Sequence, residues 1–134
     1  MKIELATESD FKYIVEHDNH ILESLVIKKI IGEEIYIIRE QDTIIGWMRY
    51  GYFWDNTPFM NMIWIDELCR GKGVGSQVVL NWENVMKHKG CKLVMTSTLA
   101  NEEAQHFYRK LGYKDAGCLL LENEPLEIIF TKAL

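Results

Sequence analysis

Arg70-Gly71-Lys72-Gly73-Val74-Gly75-Ser76 is the stretch of this chain best suited to chemistry. Glycine at alternate positions lets a backbone approach a ligand with no Cβ in the way. The stretch joins an apolar run, Met60 to Ile65, that reads as a strand to a run from Val74 to His88 that reads as an amphipathic helix. The first amides of a helix have no acceptor inside it, and the helix dipole adds partial positive charge at that end. The amides from Gly71 to Ser76, with Arg70 and Lys72 at the rim, therefore form a site for a phosphate or pyrophosphate. A nucleotide P-loop is excluded, because no Gly-Lys-Ser/Thr triplet follows at the required spacing. The dinucleotide pattern is excluded too, since Ser76 and Val78 stand where its third glycine would fall.

The elements that must hold this loop follow from apolar periodicity. Lys2 to Ala6 alternates and reads as a strand, and Thr7 or Ser9 offers a cap for a helix carrying Phe11, Ile14 and Val15. His20 to Ile31 reads as a second helix ending at Gly32. Glu34 to Arg39 and Thr43 to Phe53 read as strands around a polar turn, Asn56 to Pro58 as a loop, and Phe59 to Ile65 as the strand entering the glycines. In the next helix Val74, Val78, Val79, Trp82, Val85 and Met86 recur at helical intervals, and Gly90 ends it. Lys92 to Thr98 is a strand. Asn101 is placed to cap a helix whose apolar face is Ala104, Phe107, Tyr108 and Leu111. Tyr113 to Leu121 and Leu126 to Thr131 complete the chain as strands. The order β-α-α-β-β-β-α-β-α-β-β implies an α/β fold with a mixed sheet and helices on both faces.

The run Arg70-x-x-Gly73-x-Gly75 resembles the coenzyme A pyrophosphate loop of the GNAT superfamily of acyl-CoA N-acyltransferases. Asn101-x-x-Ala104-x-x-Phe107-Tyr108-x-x-x-Gly112-Tyr113 is similar to the second hallmark of that family, and it lies one helix and one strand downstream as in the family. The resemblance spans Ile63 to Tyr113 by motif. It implies one N-acetyltransferase domain over residues 1–134, with a mostly antiparallel sheet of about seven strands. It also implies acetyl-CoA as co-substrate without a metal, and direct attack of an amine on the thioester in a ternary complex. By resemblance, backbone groups of Ile63, Trp64 and Ile65 line the pantetheine arm, residues Arg70 to Ser76 hold the diphosphate, and Asn101 reaches the arm. Tyr108 is the expected proton donor to the departing sulfur: a phenol titrates near ~10 and an alkyl thiol near ~8.5, so transfer is feasible. The same residue at that spacing also suits a core position. Some relatives carry a glutamate base near the start of the strand before the loop; here Phe59-Met60-Asn61 has none, and Asp66 and Glu67 are the nearest acids. Where the family often has proline and an aromatic before the arginine, this chain has Glu67-Leu68-Cys69.

The acceptor site is expected near the aromatic stretch Gly46 to Asn56. Alternation puts Trp47, Arg49, Gly51 and Phe53 on one face and Met48, Tyr50, Tyr52 and Trp54 on the other. Aromatic walls made by Trp47 and Trp54, with Asp55 and Glu67, would suit a cationic amine. A packed sheet accounts for the same pattern. His17-Asp18-Asn19-His20 reads as a polar turn, since no further ligands cluster with it for a metal.

With 134 residues, 48% of them apolar and 26% charged, the composition is that of one globular domain. A net charge of −5 argues against a nucleic-acid partner. No apolar run reaches the ~18 residues of a membrane span. The N-terminus lacks a signal-peptide pattern, and Cys69, Cys91 and Cys118 form no paired motif; both point to the cytoplasm. The expected partner is a small-molecule or peptide amine, and the protein a monomer or homodimer. A non-catalytic acyl-CoA-binding module is the alternative, and an acetylating toxin acting on aminoacyl-tRNA fits the acidic composition less well.

Overall fold

The computed structural model describes every residue from Met1 to Leu134. In chain order the elements are β1 (Lys2–Leu5), α1 (Phe11–His17), α2 (Glu23–Ile31), β2 (Ile35–Glu40), β3 (Thr43–Phe53), β4 (Thr57–Ile65), α3 (Val74–His88), β5 (Leu93–Leu99), α4 (Ala104–Lys110), β6 (Lys114–Leu119) and β7 (Glu127–Ala133). This is the order expected from the sequence, and α3 has the expected bounds. The strands form one seven-stranded sheet in the order β1-β2-β3-β4-β5-β7-β6. β1–β2, β2–β3, β5–β7 and β6–β7 pair antiparallel, while β4 and β5 run parallel. The parallel ladder is short: Phe59 faces Met95 and Met60 faces Thr96. No helix is long and apolar enough to cross a membrane.

Contacts divide the chain into two compact units, Met1–Tyr50 with Met62–Val78, and Gly51–Asn61 with Val79–Leu134. In the first, Ile14 of α1, Val26 and Ile30 of α2, Ile35 and Ile37 of β2 and Trp47 of β3 form the core. Thr7 stands at the cap position of a 3₁₀ turn, Glu8–Asp10, instead of at α1, whose cap position is Asp10; the Thr7 amide donates to Asp10 Oδ2 at 2.9 Å. Asp10 Oδ1 accepts from Arg39 Nη2 at 2.6 Å, which ties the start of α1 to β2. The second helix starts at Glu23 instead of His20. Asp18 Oδ1 accepts from the His20 amide at 3.0 Å, and this side-chain turn holds the chain out of helical geometry. Ile45 to Tyr50 of β3 are buried without a break, so this strand is covered on both faces.

The expected loop at Asn56 to Pro58 is shorter than the sequence suggests. Trp54 (φ 53°) and Asp55 (φ 65°) take left-handed conformations, and the reversal is complete before Thr57. Pro58 then sits near the start of β4, where a missing N–H is tolerated.

In the second unit β5 pairs with β7 from Leu93–Ala133 to Leu99–Glu127, and β6 adds the edge. Trp82 and Met86 of α3, Val94 of β5 and Phe130 of β7 are fully buried. Glu83, 6% exposed, accepts from Tyr113 Oη at 2.9 Å and from Lys132 Nζ at 2.7 Å, so this buried carboxylate has a partner for each oxygen.

Gly46 is dictated by close approach. A Cβ there would lie 2.3 Å from the Trp64 carbonyl oxygen and 3.0 Å from Ile65 Cδ1. Gly46→Ala is expected to destabilise the fold by about 1–3 kcal/mol through overpacking. The check is a lower urea midpoint at unchanged m-value. A midpoint equal to that of the unmodified protein would mean that β4 withdraws from β3 at no cost.

Candidate active site

The glycine loop begins where β4 ends. The Asp66 amide donates to Ile45 O at 2.7 Å, anchoring that end to β3. Asp66 Oδ1 accepts from the Leu68 amide at 2.9 Å and caps a 3₁₀ turn at Glu67–Cys69. Gly71 and Gly73 have φ of 74° and 83°, and a Cβ built on either meets nothing within 4 Å. Both glycines are therefore required by backbone conformation, and the space beside them is open. Gly73 O accepts from the Gln77 amide at 3.1 Å, the first turn of α3. The amides of Val74, Gly75 and Ser76 precede that bond and stand at the positive end of a 15-residue helix.

Arg70 has a role that its charge alone does not reveal. Its Nε donates to Ile65 O at 2.7 Å, and its guanidinium lies 5.8 Å from the centre of the Trp64 ring. Trp64 stacks on Trp47 at 4.9 Å. Arg70 thus braces the loop against β4, and one carbonyl of the expected pantetheine rail is already engaged. Lys72 is exposed at the loop. Asp66 is committed to its cap, and Glu67 is exposed on the 3₁₀ turn.

Trp47 and Trp64 also line a cavity of about 320 Å³, together with Met62 and the loop from His17 to His20. Asp18 is 3% exposed there. Its Oδ2 accepts from Arg49 Nε at 2.7 Å and Trp47 Nε1 at 3.1 Å, and its Oδ1 from Arg49 Nη2 at 3.4 Å. Burial alone would push the Asp18 carboxyl up; Arg49, the His20 amide and Trp47 outweigh it, and the group lies below the usual carboxylate range. The Asp18–Arg49 pair was not foreseen. Its signal was an arginine inside an otherwise apolar strand, which demands a carboxylate partner. Trp54 and Asp55 do not join Trp47 as cavity walls: they form the exposed β3–β4 hairpin tip, with Trp54 77% exposed and packed on Phe53 at 4.7 Å.

Tyr108 is 5% exposed on α4, with Tyr113 at 5.6 Å and Phe130 at 6.0 Å between ring centres. Burial pushes its phenol up to about 12, the Thr96 hydroxyl opposes that, and Glu102 adds to it. Thr96 Oγ1 donates to Met60 O at 2.9 Å, across the last pair of the β4–β5 ladder. The phenol is therefore both a core residue and a neutral donor beside the point where the two strands stop pairing. Arg109, next on α4, forms a two-pronged pair with Asp115 (3.0 and 2.9 Å) that holds the helix to β6. Asn101 does not cap α4. The helix starts at Ala104 with Glu103 at the cap position and no side-chain cap, while Gln105 Nε2 donates to Ala100 O (2.8 Å) and Glu102 O (3.0 Å) in the preceding turn. Asn101 is left exposed in the preceding turn.

A second cavity, of about 390 Å³, is lined by Tyr52 and Phe53 of β3, Phe59 and Asn61 of β4, and residues of β5, β6 and β7.

Residues 4–113 match the Acetyltransferase (GNAT) family. The chain belongs to that family and is an acyltransferase by membership. Solved structures share the fold at low identity. Ard1 from Thermoplasma volcanium superposes with a TM-score of 0.84 at 14% identity, covering 99% of this chain and 97% of that one. A ribosomal-protein-alanine N-acetyltransferase from Brucella melitensis gives 0.78 at 15% identity, with all of both chains covered. The PaiA N-acetyltransferase from Thermoplasma acidophilum, solved with coenzyme A, gives 0.74 at 15% identity over 99% of this chain and 98% of that one. No curated protein sequence matches the chain.

Asp18→Ala is expected to cost about 3–5 kcal/mol, because it strands the Arg49 cation in the interior. The sign with pH follows from a folded carboxyl held below its usual value near 3.8. Its contribution is complete above that value and is lost as pH falls through the lowered one. Urea unfolding at neutral pH and through the acid range checks both, and a variant as stable as the parent at pH 7 would remove the pair from the account of the fold.

Proposed function

We propose that residues 1–134 form a single N-acetyltransferase domain that moves an acetyl group from acetyl-CoA to a primary amine by direct attack in a ternary complex. The observation that carries this is the glycine loop: two left-handed glycines with open space at their Cβ positions, leading into unpaired helix amides. That chemistry fits a diphosphate. In this reading Arg70 to Ser76 hold the diphosphate, backbone groups of Ile63, Trp64 and Ile65 receive the pantetheine arm, and Asn101 reaches it from its exposed turn. The amine nitrogen bonds to the thioester carbon, the C–S bond breaks, and its electron pair goes to sulfur.

Tyr108 donates to that sulfur. With its phenol near 12 in the free protein and a thiol near ~8.5, complete transfer is uphill by roughly 5 kcal/mol. The phenol is most useful as a fixed hydrogen-bond donor while charge develops, with the proton passing only as the adduct collapses. The amine's proton leaves to water, since Asp66 is spent on its cap. The acceptor is a small-molecule or peptide amine; a peptide α-amine deserves inclusion because the Brucella protein of this fold is named for acting on ribosomal-protein alanine. Three free thiols support the cytoplasm as the compartment.

Tyr108→Phe is expected to lower kcat about tenfold or more, with acetyl-CoA affinity unchanged. Equal turnover would take the phenol out of the mechanism. Gly73→Ala adds a side chain in a left-handed conformation, a strain of about 1–2 kcal/mol, and puts a methyl group in the space assigned to the diphosphate. It is expected to weaken acetyl-CoA binding in calorimetry. Undiminished heat and affinity would show that the loop is not the binding site, and the absence of any binding to the unmodified protein would end the reading.

A further inference from the structure

We propose that the cavity of about 390 Å³ in the second unit receives the acceptor, and that this acceptor is a primary amine borne on an uncharged apolar body, aromatic or branched aliphatic, instead of a polyamine. The proposal rests on the acetyltransferase reading and names its substrate class.

The lining carries no formal charge. Tyr52, Phe53 and Phe59 contribute rings, Leu119 and Ile129 contribute branched aliphatic groups, and Asn61 and Ser97 are the polar exceptions. The volume is that of small-molecule sites, which run from ~300 to ~1,000 Å³ and are mostly apolar with a few placed polar groups. The lining itself offers a second ammonium no carboxylate; Glu127, half-buried and opposite Leu119 in the β6–β7 ladder, stands beside the cavity and outside its lining. Glu83 is taken by Tyr113 and Lys132, Asp115 by Arg109, and Asp55 stands at the exposed hairpin tip. An ammonium placed among these side chains would exchange its hydration for ring faces and two neutral polar groups, with no carboxylate in the lining to pair with.

The position of the cavity connects it to the chemistry. Met60 and Thr96 are the last paired residues of β4 and β5, and the next residue on each strand, Asn61 and Ser97, lines the cavity. Side chains alternate along a strand, so Thr96 turns to Tyr108 while Met95 and Ser97 turn to the cavity. A thioester lying where the ladder ends would have the phenol on one side of the sheet and the cavity on the other. That is the arrangement an amine needs to reach carbonyl carbon while a donor reaches sulfur. Apolar surface continues outward: Leu120 and Leu121, which follow Leu119, are 83% and 43% exposed.

The test uses the full chain in an acetyl-CoA thiol-release assay with 2-phenylethylamine and isoamylamine against putrescine and spermidine. The apolar amines are expected to give kcat/KM at least about tenfold higher than the polyamines. Leu119→Glu, at a half-exposed edge-strand position, is expected to cut kcat/KM for 2-phenylethylamine about tenfold through KM, by placing a charge against the apolar body. Its acetyl-CoA affinity by calorimetry stays unchanged. A preference for the polyamines, or a Leu119→Glu variant as active on 2-phenylethylamine as the parent, overturns this proposal and leaves the acetyltransferase reading intact. Failure of the unmodified protein to bind acetyl-CoA overturns both.

Discussion

The shortness of the β4–β5 ladder is the constraint from which the rest of this structure takes its meaning. A parallel pair normally gains stability from every residue added to it, and its edges are buried by design. Here the ladder holds Phe59 to Met95 and Met60 to Thr96 and stops before Asn61 and Ser97, which line a cavity together with Phe59 and Met95. The loss at that point is offset locally. The Thr96 hydroxyl donates to Met60 O, so a side chain reinforces the junction at its last step. β5 is held on its other edge, where β7 pairs with it along its entire length, so the strand stays in place while its groups facing β4 beyond Thr96 are left out of that ladder.

Two buried carboxylates do corresponding work in the two units. Asp18 is satisfied by Arg49 and Trp47, and Glu83 by Tyr113 and Lys132. Buried ion pairs are weak contributors to net stability, because desolvation offsets their attraction. Their value lies in geometry. Asp18 fixes the irregular chain from His17 to His20 against β3 and sets where α2 begins. Glu83 fixes Tyr113, whose ring packs edge-on against Tyr108. Burial and the Glu83 carboxylate both push the Tyr113 phenol up, so it stays a donor and the bond to α3 persists. The proposed proton donor is thus braced by a phenol that burial and Glu83 keep protonated.

What could be read from the sequence was whatever is encoded within one turn or one strand. The glycine loop, the bounds of α3, the order of elements and the family motif around Tyr108 depend on neighbours a few residues apart. The sites read less well depend on partners far along the chain. Asp18 and Arg49 are 31 residues apart, and a four-residue polar stretch gave no sign that one of its members was buried. Trp54 and Asp55 share an aromatic stretch of sequence with Trp47, but both are left-handed residues of the turn after β3 and are exposed there. Asn101 has the composition of a cap, yet the helix begins three residues later with Glu103 at the cap position and no side-chain cap, a boundary that propensity cannot rank.

In the proposed reaction, the depth of Tyr108 sets a limit on how it would act as a donor. An exposed phenol would be a stronger acid, but it would rotate and would share its hydrogen bond with water. Burial raises the phenol to about 12 and costs acidity, while the rings of Tyr113 and Phe130 restrict where the hydroxyl points. A donor that is already oriented contributes to a transition state without reorganising, and in a dry setting its hydrogen bond to developing charge is worth more than in water. The same burial keeps the phenol neutral across the physiological range, so no fraction of the protein carries a phenolate that would repel the departing thiolate. Acidity is thus exchanged for fixed position, which is sound when the leaving group is a thiolate that needs little help to depart.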